Sequence, residues 1–458
     1  MAQMPNYPTW FAAREHALLG PRFAELLTPQ SDAPARGITV NTLRTSPARF
    51  DALADFALEP SLFCPAAFAV RAADFKPGRH PYHHAGVFYA QEPSASAPAA
   101  LLDVRPGMRV LDLCAAPGGK SSQLAAALQG EGLLVANEFV ASRAEILRQN
   151  LERMGVSNAV VLNESTARLA AALPAWFDRV LVDAPCSGEG MFRKESAAVP
   201  QHNEGLVAQC AALGCSILED AAALLAPGGV LVYSTCTFSP QEDEGQVAAF
   251  LARHPEFSLQ DLSQVGFGRP GEANRTGGTP LQAEYCRRIW PADGGEGHFM
   301  ARLQKSTAAP ASLAAAKPEK AAKPPKEWLA FAQTTFPALA RAPVTLLKEM
   351  VLLPPAVALP GNRLHLLRAG VLAGSVQKGR FVPAHALLMA AGAQCPNREE
   401  LTLSDPRTLA WLHGAEIEAV TAQNGWCAVL VDGFPLGGGK ASGGRIKNHY
   451  PKALRLLG

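Results

Sequence analysis

The stretch from Arg179 to Lys194, RVLVDAPCSGEGMFRK, decides how the rest of the chain is read. It opens on Val180-Leu181-Val182, a short apolar run without alternation, as in a strand buried on both faces. It then stops at Asp183-Ala184-Pro185-Cys186, with Gly188 and Gly190 close behind. Such an ending places a carboxylate and a thiol on a tight loop. In open α/β sheets, loops at the carboxyl ends of strands line the ligand crevice. A second cysteine, Cys236, follows a strand of the same kind, Val230 to Tyr233, in the loop Ser234-Thr235-Cys236-Thr237. The two thiols are expected to meet over one substrate.

Upstream of that stretch, Val110-Leu111-Asp112-Leu113 reads as a strand and Ser121 to Leu128 as a helix. Between them lies Cys114-Ala115-Ala116-Pro117-Gly118-Gly119-Lys120. Glycines in such a turn let backbone N–H groups approach a ligand, and the helix N-terminus favours negative charge. The order is neither GxGxxG nor the Walker spacing, so neither a dinucleotide nor a triphosphate is indicated. Gly132 to Ala136 is the second strand, with Asn137-Glu138 at its end. An acid there, about 20 residues beyond the glycines, is where a ribose diol is held. The pattern indicates an adenosine-containing cofactor; the alternative is a merely structural glycine turn.

The same alternation continues downstream. Helices are expected over Ala141 to Met154, His202 to Leu225 and Glu242 to Arg253. Strands are expected over Ala159 to Leu162, Phe177 to Val182, Val230 to Tyr233 and His298 to Leu303. Repeated βα units predict a parallel, doubly wound sheet covered on both faces. Residues 1–85 read as a small α+β module, with a helix from Phe11 to Leu27, a strand over Gly37 to Asn41 and a helix from Ser46 to Phe56. Residues 86–305 form the doubly wound domain, and 306–326, rich in Ala, Pro and Lys, a linker. Residues 327–391 read as a small α/β module. Residues 392–458 contain the β-rich run Trp426 to Phe434 and end in a glycine-rich basic tail, Gly437 to Lys452.

With 458 residues, 48% apolar, the chain is long enough for about three domains. Its net charge of +2 is unevenly placed: residues 306–458 hold 17 Lys and Arg against 9 Asp and Glu, which leaves the rest at −6. A basic C-terminal third suggests a polyanion-binding appendage, the alternative being a solvated face. Pro354, Pro355 and Pro360 interrupt the most apolar C-terminal region, so no membrane partner is expected. The N-terminus carries Arg14 and Glu15 with no apolar core of a secretory signal. Nine cysteines without dense, regular spacing are expected to be reduced thiols of a cytoplasmic protein, and without a CxxC pair no metal site is expected.

Taken together, CAAPGGK at 114–120, DAPCSGEGMFRK at 183–194 and STCT at 234–237 resemble the RNA cytosine-5 methyltransferases of the NOL1/NOP2/Sun family. The ending GGGKASGGRIKNHYPK at 437–452 is similar to the bacterial ribosomal-RNA branch, the RsmF type. The resemblance implies a Rossmann-like methyltransferase domain between a small N-terminal module and C-terminal RNA-binding modules, the last PUA-like. It implies S-adenosylmethionine as cofactor, contacted by residues 114–120, Glu138, Arg143 and Asp183, and small-subunit (16S) ribosomal RNA as substrate, bound by a monomer. Cys236 would be the nucleophile and Cys186 the second catalytic thiol. The chain departs from many relatives at Asn163 and Glu164, where they carry Asp beside the adenine.

Those groups suit that chemistry. Carbon 5 of cytosine is a poor nucleophile until a thiolate adds to carbon 6, which makes carbon 5 enamine-like. Asp183 can hold N3 or the exocyclic amine as charge shifts, and a second thiol can assist release. The base must leave its stack to be reached. Cys114 is read as packing within the cofactor loop, the other six cysteines as structural, and His83 and His84 as surface residues. Transfer RNA as substrate, or a non-catalytic RNA-binding assembly factor, are the rival readings.

Overall fold

The computed structural model describes residues 7–72, 74–308, 322–360 and 364–456. Its centre is a ten-stranded sheet. Five strands are parallel: β1 (Arg109–Asp112), β2 (Leu133–Asn137), β3 (Ala159–Leu162), β4 (Phe177–Asp183) and β5 (Leu225–Thr235). They lie in the spatial order β3-β2-β1-β4-β5. The order therefore reverses between β1 and β4, and a crevice opens there at the carboxyl ends of both strands. The strands are apolar on both faces because helices cover both. Val180 and Val182 of β4 face one core cluster and Leu181 the other.

The helices are α1 (Gly119–Ala127), α2 (Ala141–Arg153), α3 (Thr166–Ala172), α4 (Glu204–Leu224) and α5 (Glu244–Arg253). Four of them follow the sequence reading to within a few residues. Helix α3 is additional; the Ser165 hydroxyl caps it by accepting from the Arg168 amide. Among the described residues, α4 alone is long and apolar enough to cross a membrane by length and composition. In the fold it lies on the sheet, with Ile217, Leu218, Ala221 and Leu224 in the core.

The expected parallel, doubly wound sheet forms the centre, and antiparallel strands extend it on both sides. Beside β5 runs β6 (His298–Lys305), antiparallel, with Phe299 opposite Thr235. On the far edge β7 (Leu366–Ala369) pairs antiparallel with β3. That strand comes from the segment read as a separate module over 327–391. Val357, Leu359 and Leu364, just before it, pack against the core of the central sheet. The rest of that segment forms its own four-stranded sheet and the helix His385–Ala391. Of the expected linker, residues 309–321 lie outside the described residues.

The N-terminal module also differs in detail. Its four-stranded sheet takes Phe88–Ala90 as an edge strand, with Ile38 opposite Ala90, so the module reaches past residue 85. The helix expected from Phe11 to Leu27 is two, Thr9–Leu19 and Arg22–Leu27. Gly20 turns into the left-handed region with φ 57°, and Pro21 has no N–H with which to continue a helix. The last unit is a five-stranded sheet over Arg398–Asn448. It shares a core with the N-terminal module: Phe50, Tyr82 and Phe88 pack with Trp411, Phe434 and Tyr450. The two histidines expected at the surface lie in this junction. His84 is buried with Nδ1 2.8 Å from the Tyr450 hydroxyl, and burial pushes it down to about 4; His83 is half-buried.

Candidate active site

Three loops meet at the β1/β4 crevice. The loop after β1, residues 113–118, enters α1 through Gly118, whose φ of 111° is a conformation other residues rarely adopt. A Cβ on Gly118 would meet Leu147 of α2 at 3.1 Å. The glycine is thus required for the turn and for close packing of α1 on α2, not because its own side chain would fill the cavity. Gly119 is different. A Cβ there would come within 2.4 Å of Gln91 Oε1, which lines the crevice.

A cavity of about 220 Å³ occupies this crevice. Cys114, Ala115, Ala116, Pro117, Gly119, Lys120, Asp112 and Asp183 line it, closed on one side by Tyr89, Ala90 and Gln91. Among these, Asp112 was not singled out in the sequence beyond its place in the strand. It is buried, with Oδ2 accepting from the Ser121 hydroxyl at 2.6 Å, while Oδ1 has no partner among the described residues. Burial pushes its carboxyl up to about 7. A buried carboxyl oxygen with no partner is suited to a cationic ligand. S-adenosylmethionine, with a sulfonium and an ammonium group, is such a ligand, so the residues present fit the cofactor implied by the motifs.

Glu138, at the end of β2, is buried beside this cavity without being part of its lining. Its Oε1 accepts from the Val140 amide at 2.8 Å and its Oε2 lies 3.6 Å from Arg143. Arg143 also donates to the Ala116 carbonyl at 3.0 Å, tying the acid to the first loop. Asn163 donates to the carbonyls of Glu138 and Phe139, both at 2.8 Å. Glu164 Oε1 accepts from the His365 amide at 2.6 Å, just before β7. Asn163 and Glu164 therefore brace the acid loop and the edge strand. Phe139, beside Glu138, is 72% exposed, an aromatic side chain that the sequence reading passed over.

Across the crevice stand the loops after β4 and β5, which the register aligns by pairing Asp183 with Ser234. Asp183 accepts from Lys120 Nζ at 2.7 Å and from the Ser234 hydroxyl at 2.8 Å. Burial alone would raise its carboxyl; the Lys120 ammonium and the Ser234 hydroxyl outweigh burial and hold it below the usual range. The same ion pair keeps Lys120 protonated despite burial. Beyond Asp183, Cys186 Sγ and Cys236 Sγ lie 3.3 Å apart, so the two thiols do meet. The contact with Cys236, then burial, pushes the Cys186 thiol well above its ordinary range.

The rest of the opening stretch anchors these loops. Ser187 donates through its amide and hydroxyl to Glu242, at 2.7 and 2.6 Å, and burial pushes Glu242 up to about 7. Glu189, fully buried, receives both terminal nitrogens of Arg14 from the N-terminal module, at 2.9 and 2.7 Å. Its Oε2 also accepts from the Phe238 amide, two residues past Cys236. Arg193 pairs with Glu296 at 3.1 Å, and Phe192 packs against Phe11. Thus GEGMFRK is the seat on which the N-terminal module holds the two cysteine loops.

On the last sheet, Trp426 lies opposite Lys440, and Lys440 opposite Lys447, in a row across three strands. His449 stacks edge-on to Trp426 at 4.7 Å. Lys440 and Lys447 are exposed and have no ion-pair partner among the described residues.

Comparison with known proteins agrees with this arrangement. Residues 99–304 match the family model for the 16S rRNA methyltransferase RsmB/F, and 7–93 that for the N-terminal domain of 16S rRNA methyltransferase RsmF. Residues 330–390 match the RsmF first C-terminal domain and 398–456 the methyltransferase RsmF PUA domain. The ribosomal RNA small subunit methyltransferase F of Serratia proteamaculans is 34% identical over 92% of this chain and 90% of its own length. That of Erwinia tasmaniensis is 32% identical over 98% and 96%. Among solved structures, a methyltransferase homolog from Pyrococcus horikoshii covers 66% of this chain and 96% of its own at 29% identity, with a TM-score of 0.57. NSun6 from the same organism shares the fold with a TM-score of 0.55 at 19% identity, covering 66% and 99%. The chain belongs to the 16S rRNA methyltransferase RsmB/F family and carries the N-terminal, first C-terminal and PUA domains of its RsmF members.

Proposed function

We propose that this methyltransferase modifies carbon 5 of cytosine in 16S ribosomal RNA through a covalent adduct between Cys236 and carbon 6. The observation that carries the reading is the 3.3 Å contact between Cys186 and Cys236, beside the Lys120–Asp183 pair at the mouth of the cofactor crevice. S-adenosylmethionine supplies the electrophilic methyl group. Residues 114–120 and Asp112 hold its charged end, Glu138 its ribose, and Phe139 offers an apolar face for the adenine.

The remaining work belongs to the chain's own side chains. Cys236, as thiolate, adds to carbon 6 and makes carbon 5 nucleophilic. Asp183, held ionised by Lys120, accepts from the exocyclic amine and fixes the base edge, while the Lys120 ammonium beside it offsets the negative charge that the thiolate brings to the ring. Cys186 keeps its proton while Cys236 is the thiolate, because a second negative charge beside the first is disfavoured. Once Cys236 is bonded to carbon 6 that charge is gone, so Cys186 can lose its proton to solvent, take the carbon-5 proton after methyl transfer and let Cys236 leave as the thiolate. The row of Trp426, Lys440 and Lys447 fits a single strand, phosphates on the ammonium groups and a base on the indole. We read the protein as a cytoplasmic monomer acting on small-subunit ribosomal RNA, free or in an assembling subunit.

The test is direct. Purified protein, 16S RNA or small subunits from a strain lacking the enzyme, and labelled S-adenosylmethionine should yield 5-methylcytosine on nucleoside mass spectrometry. Label in any other nucleoside, or in transfer RNA alone, would overturn the reading.

A further inference from the structure

One buried cluster beside the thiols lies outside the chemistry proposed for them. Glu92, in the strand-to-helix turn that follows the N-terminal sheet, accepts from the amides of Ser94 and Ala95, both at 3.0 Å. The Ser94 hydroxyl lies 2.5 Å from Glu92 Oε2 and 2.7 Å from His298 Nδ1. Glu92, Ser94 and His298 are 6%, 0% and 6% exposed.

The protons along this relay can be assigned. The carboxylate can only accept, so the single hydroxyl proton of Ser94 goes to Glu92. Ser94 Oγ must then accept, which puts the imidazole proton of His298 on Nδ1. Burial, aided by Lys120 and Lys194 and opposed by Glu92 and Asp183, pushes the imidazole down to about 4. It is neutral, and Nε2 is left as a bare acceptor. That nitrogen has no partner among the described residues, yet it is not one of the buried atoms sealed from solvent.

Its place in the sheet is equally specific. Phe299 of β6 faces Thr235 of β5, so one step further His298 comes abreast of Cys236. The preceding Gly297 packs on Gly190, whose amide donates to the Cys236 carbonyl at 2.9 Å. His298 thus stands on the strand beside the Cys236 loop, within electrostatic reach of the Lys120–Asp183 pair.

Resting on the proposed cytosine reaction, we propose that His298 is a base-contacting residue whose Nε2 accepts a hydrogen bond from the exocyclic amine of the target cytosine. Ser94 and Glu92 are positioning residues that fix the tautomer. The contact would discriminate by chemistry, since uracil presents a carbonyl oxygen where cytosine presents the amine, and two acceptors cannot pair.

The experiment compares wild type, His298→Phe, His298→Gln and Ser94→Ala on RNA fragments spanning the cytosine methylated by the wild type. The target carries cytidine, 2′-deoxycytidine or zebularine, in which hydrogen replaces the amine; methyl transfer is followed as kcat/KM. His298→Phe should lose on the order of 100-fold on cytidine and on 2′-deoxycytidine, and little on zebularine. His298→Gln, whose amide oxygen can reach the Nε2 position, should keep most of the activity, and Ser94→Ala should show a smaller loss of the same selectivity. Unchanged S-adenosylmethionine affinity by calorimetry establishes that the variants are folded. An equal loss on cytidine and zebularine would overturn the proposal, as would a loss that disappears on 2′-deoxycytidine, which would place the contact on the ribose. Absence of 5-methylcytosine from the wild-type reaction would instead overturn the proposed function, and this inference with it.

Discussion

The sulfur of Cys186 lies 3.3 Å from that of Cys236 and also 3.3 Å from the Cys236 amide nitrogen. Two thiols this close cannot both ionise, because the second negative charge would form against the first. The site therefore holds at most one thiolate at a time, and Cys186 is the thiol pushed upward.

This asymmetry separates the two cysteine variants. Cys236→Ala should form no adduct and transfer no methyl group. Cys186→Ala should still attack but release slowly, so protein accumulates joined to RNA as a slow band on a denaturing gel. The double variant should lack the band. A band in Cys236→Ala and not in Cys186→Ala would exchange the two roles.

Asp112 sets a pH dependence for cofactor binding. Its carboxyl is raised by burial to about 7 in the free protein. A bound cation favours the ionised form, so below that pH binding must release a proton. Affinity should rise toward neutral pH, by at most about tenfold per unit, and level off above about 7.5. Calorimetry in buffers of different ionisation enthalpy should count up to one proton released, and Asp112→Asn should abolish both the slope and the proton.

Arg14 reaches from the N-terminal module to Glu189 on the catalytic loop. Arg14→Ala leaves Glu189 buried without its main partner, which should cost about 3 kcal/mol. Thermal denaturation should show the loss, and the rate of adduct formation should fall as the Cys186 loop loosens. Adding Glu189→Gln should recover part of the stability, since the uncompensated charge is gone.

The row of lysines predicts how RNA affinity is distributed. Removal of the whole C-terminal third is unsuited to test it, because β7 belongs to the catalytic sheet and the last unit shares a core with the N-terminal module. Lys440→Ala with Lys447→Ala avoids both. Binding to a 16S fragment should weaken, and the slope of log affinity against log salt should flatten by about 0.7 for each phosphate no longer neutralised. Methyl transfer at saturating RNA should hardly change.

Much of the central sheet and of the candidate site's placement was legible because each feature had a local cause. Buried parallel strands read as apolar runs, and the residues at their ends, Asp183, Cys186 and Cys236, must then lie on one rim. Interactions that join distant segments left no such trace. Nothing near Arg14 points to Glu189, 175 residues away. Nor does the short run Leu366–Ala369 differ in composition from a strand of its own module, although it completes another sheet. The helix over Phe11 to Leu27 failed for a local reason that was visible: Gly20-Pro21 interrupts it. Glu92 and His298 carried no motif, because their meaning arises only when Ser94 comes between them.

The edge strand β7 has a consequence for synthesis. When the ribosome has made β6, all five parallel strands and the residues of the candidate site exist, yet the outer backbone groups of β3, on the side away from β2, have no strand to pair with until Leu366–Ala369 has emerged. The nascent enzyme must pass through an interval in which its cofactor sheet presents an open edge, a template for pairing with another chain. Emergence of Leu366–Ala369 closes that edge, so a strand from the C-terminal half, and not the catalytic segment itself, shields the sheet from self-association.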